Sequence, residues 1–248
     1  MKLCATGGNC IVRIAYDWIG GNIYFADRGA NRIGLCHLAD HFCTVIIEDA
    51  DVVAEPVPIA VYPKIGRLFW GNCKGGVQSI YSAGMDGSHP VKVRSTGKGF
   101  INGIALDFGN ARLYWADRIL GTLESCNLDG SDHYVIASLG TVAPAGIDIM
   151  GNYLYWGEIT GKRIWSLTQR FSCQNNAPAL LYDEGNSIHD LKVYDGSRQP
   201  FDRENPCVWA GCSHLCALSG EASTSCLCPQ GLQLGSDGKT CQQSKEFV

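Results

Sequence analysis

Short apolar segments alternate along this chain with polar turns that contain Gly, Asp and Asn. Such punctuation is typical of short β-strands joined by tight turns. The segments that contain an aromatic pair are nearly continuous in apolar residues, which is expected for strands covered on both faces of a sheet. Charged residues make up only 18% of the chain, and Gly is abundant, with 30 residues. The pattern predicts an all-β fold.

A tetrapeptide recurs four times, with two large apolar side chains, then a small residue, then an acidic or amide residue. The copies are Tyr24–Asp27, Phe69–Asn72, Tyr114–Asp117 and Tyr155–Glu158. An interval of about 40–45 residues with an aromatic and acidic signature is typical of a β-propeller with one blade per repeat. We interpret the tetrapeptide as structural, with buried aromatic rings and a terminal acid that accepts N–H bonds from the following loop.

Each repeat is predicted to form a four-stranded blade, of which the first two strands are the clearest. The inner strands are predicted at Ile11–Tyr16, Pro58–Tyr62, Ile101–Leu106 and Ala145–Ile149. The aromatic strands are predicted at Asn22–Ala26, Arg67–Gly71, Arg112–Ala116 and Tyr153–Gly157. A further inner-type strand is predicted at Ile188–Tyr194.

The distribution of the 13 cysteines divides the chain into domains. Six of them fall between Cys207 and Cys241, in a segment too small for a core of its own, so disulfides must hold it together. We therefore predict a propeller over 1–199, a linker over 200–206, a disulfide-rich module over 207–242 and a tail over 243–248. This density of cysteine indicates an oxidising compartment.

Charge and motifs exclude several classes of function. A net charge of −4 without a basic cluster gives no reason to expect nucleic acid as a partner. No apolar run reaches about 18 residues, and no signal peptide is recognisable, so direct membrane contact by this segment is not expected. We find no catalytic motif, and therefore expect no enzyme, catalytic residue, cofactor or metal. Cys226-Leu227-Cys228 fits a structural disulfide frame better than a metal or redox pair.

The order of these motifs resembles the LDL receptor-related proteins, in which a six-bladed propeller is followed by an EGF-like module. The resemblance is carried by the four repeats and by the motifs Ser197–Pro200, Asn205–Cys207 and Gly211–Cys216. It implies the disulfides Cys207–Cys216, Cys212–Cys226 and Cys228–Cys241, whereas six cysteines alone leave fifteen pairings open.

Two departures from the family pattern matter. Only four of the expected six blades are present, so the chain is expected to be the C-terminal part of a propeller that is incomplete on its N-terminal side; a free-standing four-bladed ring is the alternative. Arg203 and Pro206 stand at the first and last places of the calcium-binding signature of EGF modules. We therefore expect no calcium in this module.

The resemblance implies the extracellular part of a single-pass receptor of the cell surface and endosomes. The implied function is uptake of protein ligands by endocytosis, with acid-triggered ligand release as a further expectation. A Wnt co-receptor-like or nidogen-like matrix or signalling ectodomain is the alternative. The Arg198-Gln199-Pro200 motif favours the endocytic branch. An enzyme on this fold would need a convergent catalytic set, which we cannot assemble.

Ligand contacts are predicted at the loops after the aromatic strands, which occupy the same place in each blade. These loops are Asp27–Asn31, Asn72–Gly76, Asp117–Gly121 and Glu158–Arg163. The candidate residues are Arg28, Asn31, Lys74, Arg118, Glu158 and Lys162. The competing interpretation is a set of solvated turn charges.

Three histidines, His41, His89 and His133, are predicted to occupy the turn between the third and fourth strands of successive blades. Because histidine gains charge between about pH 5 and 8, this row is a candidate pH-responsive surface. Its expected partner is an acidic, calcium-loaded ligand-binding module of the parent receptor. The competing interpretation is that polar turns simply tolerate histidine.

The remaining cysteines are less informative. Cys36 and Cys43 flank one turn, where a cross-strand disulfide is sterically reasonable. Cys126 and Cys173 occupy similar places in later blades. The sequence assigns no partner to these two, nor to Cys4, Cys10 and Cys73.

Overall fold

Each tetrapeptide repeat forms one four-stranded sheet in the computed structural model, in which consecutive strands are neighbours. The structure describes residues 11–73, 78–168, 177–183, 187–199 and 204–243. The sheets are β1 (Ile11–Asp17), β2 (Asn22–Asp27), β3 (Arg32–His37) and β4 (Cys43–Ile47); β5 (Pro56–Tyr62), β6 (Arg67–Asn72), β7 (Gln78–Gly84) and β8 (Val91–Gly97); β9 (Ile101–Asp107), β10 (Arg112–Asp117), β11 (Thr122–Asn127) and β12 (Tyr134–Ser138); and β13 (Pro144–Met150), β14 (Tyr153–Glu158), β15 (Arg163–Thr168) and β16 (Ala179–Asp183). We call these sheets blades 1 to 4.

The predicted all-β propeller class is confirmed, and the predicted inner and aromatic strands of each blade lie within a residue or two of the observed ones. The aromatic strands of blades 1 to 3 are buried on both faces, as their continuous apolar pattern predicts, whereas that of blade 4 is partly exposed at Tyr153. Tyr24, Trp70 and Trp115 have no exposed surface, and Phe25 is only 1% exposed. Burial of these large side chains is the main source of stability in each blade.

The disulfide-rich module follows the blades. It contains α1 (Cys207–Ala210), β17 (Leu215–Leu218), β18 (Thr224–Leu227), β19 (Leu232–Leu234) and β20 (Cys241–Gln243). Its strands form two antiparallel hairpins, β17–β18 and β19–β20. Three disulfides hold it together, Cys207–Cys216, Cys212–Cys226 and Cys228–Cys241. A fourth disulfide, Cys36–Cys43, joins β3 and β4 of blade 1.

Two compact units divide the chain, and each has its own core. The first comprises the described residues of Met1–Asn72, Tyr81–Lys92 and Pro200–Val248, and the second those of Cys73–Ile80 and Val93–Gln199. In the first unit, Leu215 and Ala217 of the module pack into one apolar cluster with Tyr24 and Trp70. The module therefore shares one hydrophobic core with the blade residues of this unit and is not a separately packed domain. In the second unit, Tyr114 and Trp156 lie in one apolar cluster.

The predicted strand Ile188–Tyr194 is wrong, because no strand is formed there. The segment lies against blade 4, where the N–H of Val193 donates to Asp148 Oδ2 at 2.8 Å. Arg198 makes an ion pair with Asp148 Oδ1 at 2.9 Å. The N–H of Val193 thus donates to a side-chain carboxylate, whereas in a β-sheet it would donate to a backbone carbonyl of the neighbouring strand.

Candidate functional site

The strand-end acidic and amide residues of the four tetrapeptides are buried and hold loops in place. Asp27 Oδ1 accepts the N–H of Ala30 at 3.0 Å. Asp117 accepts backbone N–H bonds from Phe100, Ile119 and Leu120 at 2.9–3.0 Å. These two residues therefore do what the structural interpretation of the tetrapeptide predicts.

The other two strand ends use different partners. Asn72 Oδ1 accepts the N–H of Ala54, in the loop that precedes β5 rather than the one that follows β6. Glu158 Oε1 accepts the indole N–H of Trp165 at 2.7 Å. The carboxylate of Glu158, a predicted ligand contact, is thus committed within blade 4, and the residue is only 4% exposed.

The predicted contacts in blade 1 form a polar cluster. Arg28 makes an ion pair with Glu55 at 2.7 Å, and Asn31 Oδ1 accepts the N–H of Glu55 at 2.7 Å. The side chains of Arg28 and Glu55 are 41% and 37% exposed. They therefore present a dipolar pair to solvent rather than an unpaired positive charge.

The predicted contact in blade 3 combines charge with apolar surface. The guanidinium of Arg118 lies 4.3 Å from the ring centroid of Phe100, within the range of a cation–π interaction. The next two residues, Ile119 and Leu120, are 64% and 46% exposed. In blade 4 Lys162 is exposed and has a positive φ of 58°. Lys74 lies outside the described residues.

The three candidate histidines all lie between the third and fourth strands of their blades, but they do not share one matching position. His41 and His89 are exposed and have positive φ values of 60° and 50°. In blade 3 the residue that matches His89 is Asp132, with φ 49°, and His133 comes one residue later. In blade 1 His41 precedes Phe42, whose carbonyl accepts the N–H of the last residue of β3, whereas His89 follows the corresponding residue, Ser88. His133 Nε2 lies 2.6 Å from Glu124 Oε2, and its ring stacks on Trp115 at 5.5 Å. His133 is thus turned toward its own blade.

The junction between the module and blades 1 and 2 was not anticipated from the sequence. Asn22 Nδ2 donates to the backbone carbonyl of Cys216 at 2.8 Å, and Ser225 Oγ donates to Asp86 Oδ2 at 2.6 Å. The rings of Phe42 and His214 meet at 4.9 Å. A signal existed in the sequence, because blades 2 and 3 have Arg67 and Arg112 where blade 1 has the short amide Asn22.

A cavity of about 210 Å³ lies at this junction. Its lining combines the imidazoles of His37 and His214 with Gly20 of blade 1 and residues of the module, Asn205, Cys207, Val208, Cys212 and Cys216. His37 Nδ1 lies 3.0 Å from Asp40 Oδ2, and His214 Nδ1 lies 2.8 Å from Ser213 Oγ. The cavity is therefore polar on the imidazole side.

Burial alters the acidity of the side chains at this junction. Desolvation raises the pKa of Asp17 to about 6, although the N–H groups of Gly20 and Ile19 and the side-chain amide of Asn22 lower it. Desolvation also raises the pKa of Tyr24 well above its usual value, and the charges of Asp17 and Asp86 add to this effect. The pKa of Asp86 itself is lowered, because bonds from Ser225 and Ser88 outweigh its desolvation.

Thiol and metal chemistry receive little support in the described part of the chain. Burial raises the pKa of the Cys126 thiol to about 11, so it stays protonated and unreactive at neutral pH. No group of three or more His, Cys, Asp or Glu side chains is arranged to hold a metal ion among those residues. Cys4, Cys10 and Cys173 lie outside them. None of the helices described there is long and apolar enough to cross a membrane.

Comparison with known proteins identifies relatives over nearly the whole chain. No protein-family model matches it. It is 30% identical over 244 residues to the vitellogenin receptor of Solenopsis invicta, which covers 98% of this chain and 13% of that protein. It is 31% identical over 230 residues to the vitellogenin receptor Yl of Drosophila melanogaster, covering 92% of this chain and 11% of that protein. The chain thus spans about an eighth of the length of these relatives.

A solved structure has the same fold. A chain in the crystal structure of a nidogen/laminin complex superposes with a TM-score of 0.63 at 20% identity, over 69% of this chain and 64% of that one. At this identity the likeness establishes the fold and nothing of the function. The repeats, the disulfide-rich module and the similarity to the two vitellogenin receptors all agree with the resemblance to the LDL receptor-related proteins.

Proposed function

We propose that this chain is an extracellular protein-binding segment of an endocytic receptor of the LDL receptor-related family. The observation that carries the proposal is the similarity to two vitellogenin receptors across 98% and 92% of the chain. The four disulfides among the described residues fit an oxidising, extracellular setting. By analogy with the names of these relatives, the proposed ligand is a vitellogenin, delivered to endosomes by uptake.

The loops after the aromatic strands are the proposed contact surface. In blade 3, Arg118, Ile119 and Leu120 give one exposed positive charge and two exposed aliphatic side chains on a loop anchored by buried Asp117. A rigidly anchored loop with apolar and charged groups is suited to protein recognition, because it loses little conformational entropy on binding. In blade 1, the Arg28–Glu55 pair would orient a charged ligand group rather than attract one over distance.

The test is binding of purified Solenopsis invicta vitellogenin to the immobilised chain at pH 7.4. Arg118→Glu is expected to weaken binding about fivefold, equivalent to roughly 1 kcal/mol, through a slower association rate. Lys239→Glu is the matched control, because it reverses an exposed charge that belongs to the module and not to any of these loops. Equal binding by both variants and the unmodified chain would refute this contact surface. Failure of the unmodified chain to bind would refute the proposed ligand.

Release of ligand in acid is a further part of the proposal. His41 and His89 occupy exposed, matching turns and would attract an acidic partner when protonated. The probe is a calcium-loaded, acidic ligand-binding module, whose binding to the chain is compared at pH 7.4 and 5.5. Tighter binding at pH 5.5 is expected and should disappear in the His41→Ala/His89→Ala double variant. His133→Ala is measured separately, because His133 already faces Glu124. If the double variant showed the same pH dependence as the unmodified chain, the proposed role of His41 and His89 would be refuted.

A further inference from the structure

Three buried polar atoms beneath the module have no hydrogen-bond partner. They are Asp17 Oδ2, Asn22 Oδ1 and Tyr24 Oη, and none of the three residues has exposed surface. Asp17 lies directly opposite Asn22 in the β1–β2 pair, and Tyr24 follows two residues later, on the same face of β2. Unpaired buried oxygens are rare in folded proteins and need an explanation.

The close approach of Gly20 shows how tightly this carboxylate is enclosed. A Cβ at Gly20 would lie 2.3 Å from Asp17 Oδ2 and 3.1 Å from Asn22 Nδ2. Asn22 Nδ2 is in turn bonded to the carbonyl of Cys216 in the module. The enclosure therefore depends on the docked module.

The surroundings provide no positive charge to balance an ionised Asp17. Among the described residues, none forms an ion pair with Asp17. The charged group that faces the cluster from blade 2 is another carboxylate, Asp86, which interacts electrostatically with Tyr24. From β3, the imidazole of His37 lies beside Gly21, and its Nδ1 faces Asp40. The module contributes a carbonyl and the hydroxyl of Ser225.

We propose that Asp17, Asn22 and Tyr24 form a proton-binding site beneath the module, and that protonation of Asp17 tightens the module on blade 1 as the pH falls. The proton enters on Oδ2, because both backbone N–H bonds go to Oδ1 and Oδ2 has no partner at hydrogen-bond distance. The resulting O–H is a donor, and both Asn22 Oδ1 and Tyr24 Oη are acceptors without a donor. Protonation also removes a buried, uncompensated charge.

The direction of the pH effect follows from linkage. Burial raises the pKa of Asp17 to about 6 in the docked state, whereas a carboxyl released to water returns to its ordinary value of 3.8. The docked state therefore binds the proton more tightly, and docking strengthens as the pH falls through 6, with the full gain reached below 3.8. Between pH 7.4 and 5.5 the docked-to-undocked ratio should rise about fourfold.

Hydrogen exchange on the full chain tests the proposal. Amides of β17 report undocking, since Leu215 and Ala217 are buried in the shared core. Their protection factors, corrected for the intrinsic pH dependence of exchange, should be about fourfold higher at pH 5.5 than at 7.4. Asp17→Asn should abolish this difference, because the amide keeps the acceptor for Gly20 and Ile19 and adds a permanent donor. Asp107→Asn, in the matching turn of blade 3, should leave the difference unchanged.

Two results would overturn the proposal. One is equal protection of β17 at both pH values in the unmodified chain; the other is a fourfold rise that persists in Asp17→Asn. If that variant does not fold, a carboxyl carbon NMR titration of the unmodified chain decides. A midpoint near the value of about 6 supports the site, and a midpoint near the ordinary 3.8 excludes it.

Discussion

The same turn occurs in blades 1 and 3 in two different environments. In both, the Oδ1 atom of an aspartate accepts two backbone N–H bonds, Asp17 from Ile19 and Gly20, and Asp107 from Gly109 and Asn110. In blade 3 the second oxygen of Asp107 accepts the side-chain amide of Asn110 at 2.8 Å, and the turn is open to solvent. In blade 1 Gly20 takes the place of Asn110, so the second oxygen of Asp17 lacks the donor that Asn110 provides in blade 3.

Two substitutions in this turn explain why the module docks on blade 1. Gly20 leaves room above the turn, and Asn22 replaces the long Arg112 with an amide that reaches the carbonyl of Cys216. Arg112 instead spreads over blade 3, with an ion pair to Asp132 at 2.6 Å. In blade 1 one oxygen of Asp17 therefore has no partner at hydrogen-bond distance, while Asn22 holds the module through Cys216. Blade 3 keeps the turn as free surface.

The largest destabilisation is expected when Asn22 of blade 1 is replaced by arginine, the residue type at the matching position of blade 3. Asn22→Arg would force a much longer side chain into the space beneath the module and remove the amide that donates to the carbonyl of Cys216. Overpacking and the lost hydrogen bond together should cost about 3–5 kcal/mol in unfolding free energy, measured by chemical denaturation. Asn110→Arg places the same charge on the exposed turn of blade 3 and should change stability by about 0.5 kcal/mol or less. Similar losses of unfolding free energy in both variants would show that docking of the module does not depend on the turn 17–22.

A smaller effect is expected from adding one methyl group. Gly20→Ala would place a carbon 2.3 Å from Asp17 Oδ2 and force the carboxylate to move. Overpacking of this kind costs about 1–3 kcal/mol, which thermal unfolding would detect as a lower Tm. Asn110→Ala, the matching change in blade 3, loses one exposed hydrogen bond and should cost about 0.5 kcal/mol. An unchanged Tm for Gly20→Ala would mean that the junction is looser than the structure indicates.

The smallest change in stability is expected at the loop after the aromatic strand of blade 1. Because Arg28 and Glu55 are both more than a third exposed, their ion pair should contribute less than about 1 kcal/mol. Arg28→Glu should lower the unfolding free energy by that amount, and the exchanged pair Arg28→Glu/Glu55→Arg should recover most of it. A double-mutant cycle by chemical denaturation measures the coupling. A coupling above about 2 kcal/mol would identify the pair as part of the core rather than of a binding surface.

The sequence predicted the blades well because their signal is local. Two large apolar side chains in each aromatic strand and the turns around them need no knowledge of distant residues. The module junction was missed, because it depends on residues far apart in the chain, Asn22 and Cys216. The offset of His133 was missed because one residue decides which backbone position adopts the positive φ. The extended segment before the linker has strand-like composition, but its bond to the side chain of Asp148 replaces a ladder.

The most direct test maps hydrogen exchange on the chain with and without bound Solenopsis invicta vitellogenin at pH 7.4. If the loops after the aromatic strands are the binding surface, ligand should slow exchange of the backbone amides of 28–31 and 118–121. It should not change the turn 17–22, which the module already covers. Protection confined to the histidine turns or to the module, with the loops unchanged, would contradict the proposed division between a docking turn and a ligand-binding surface.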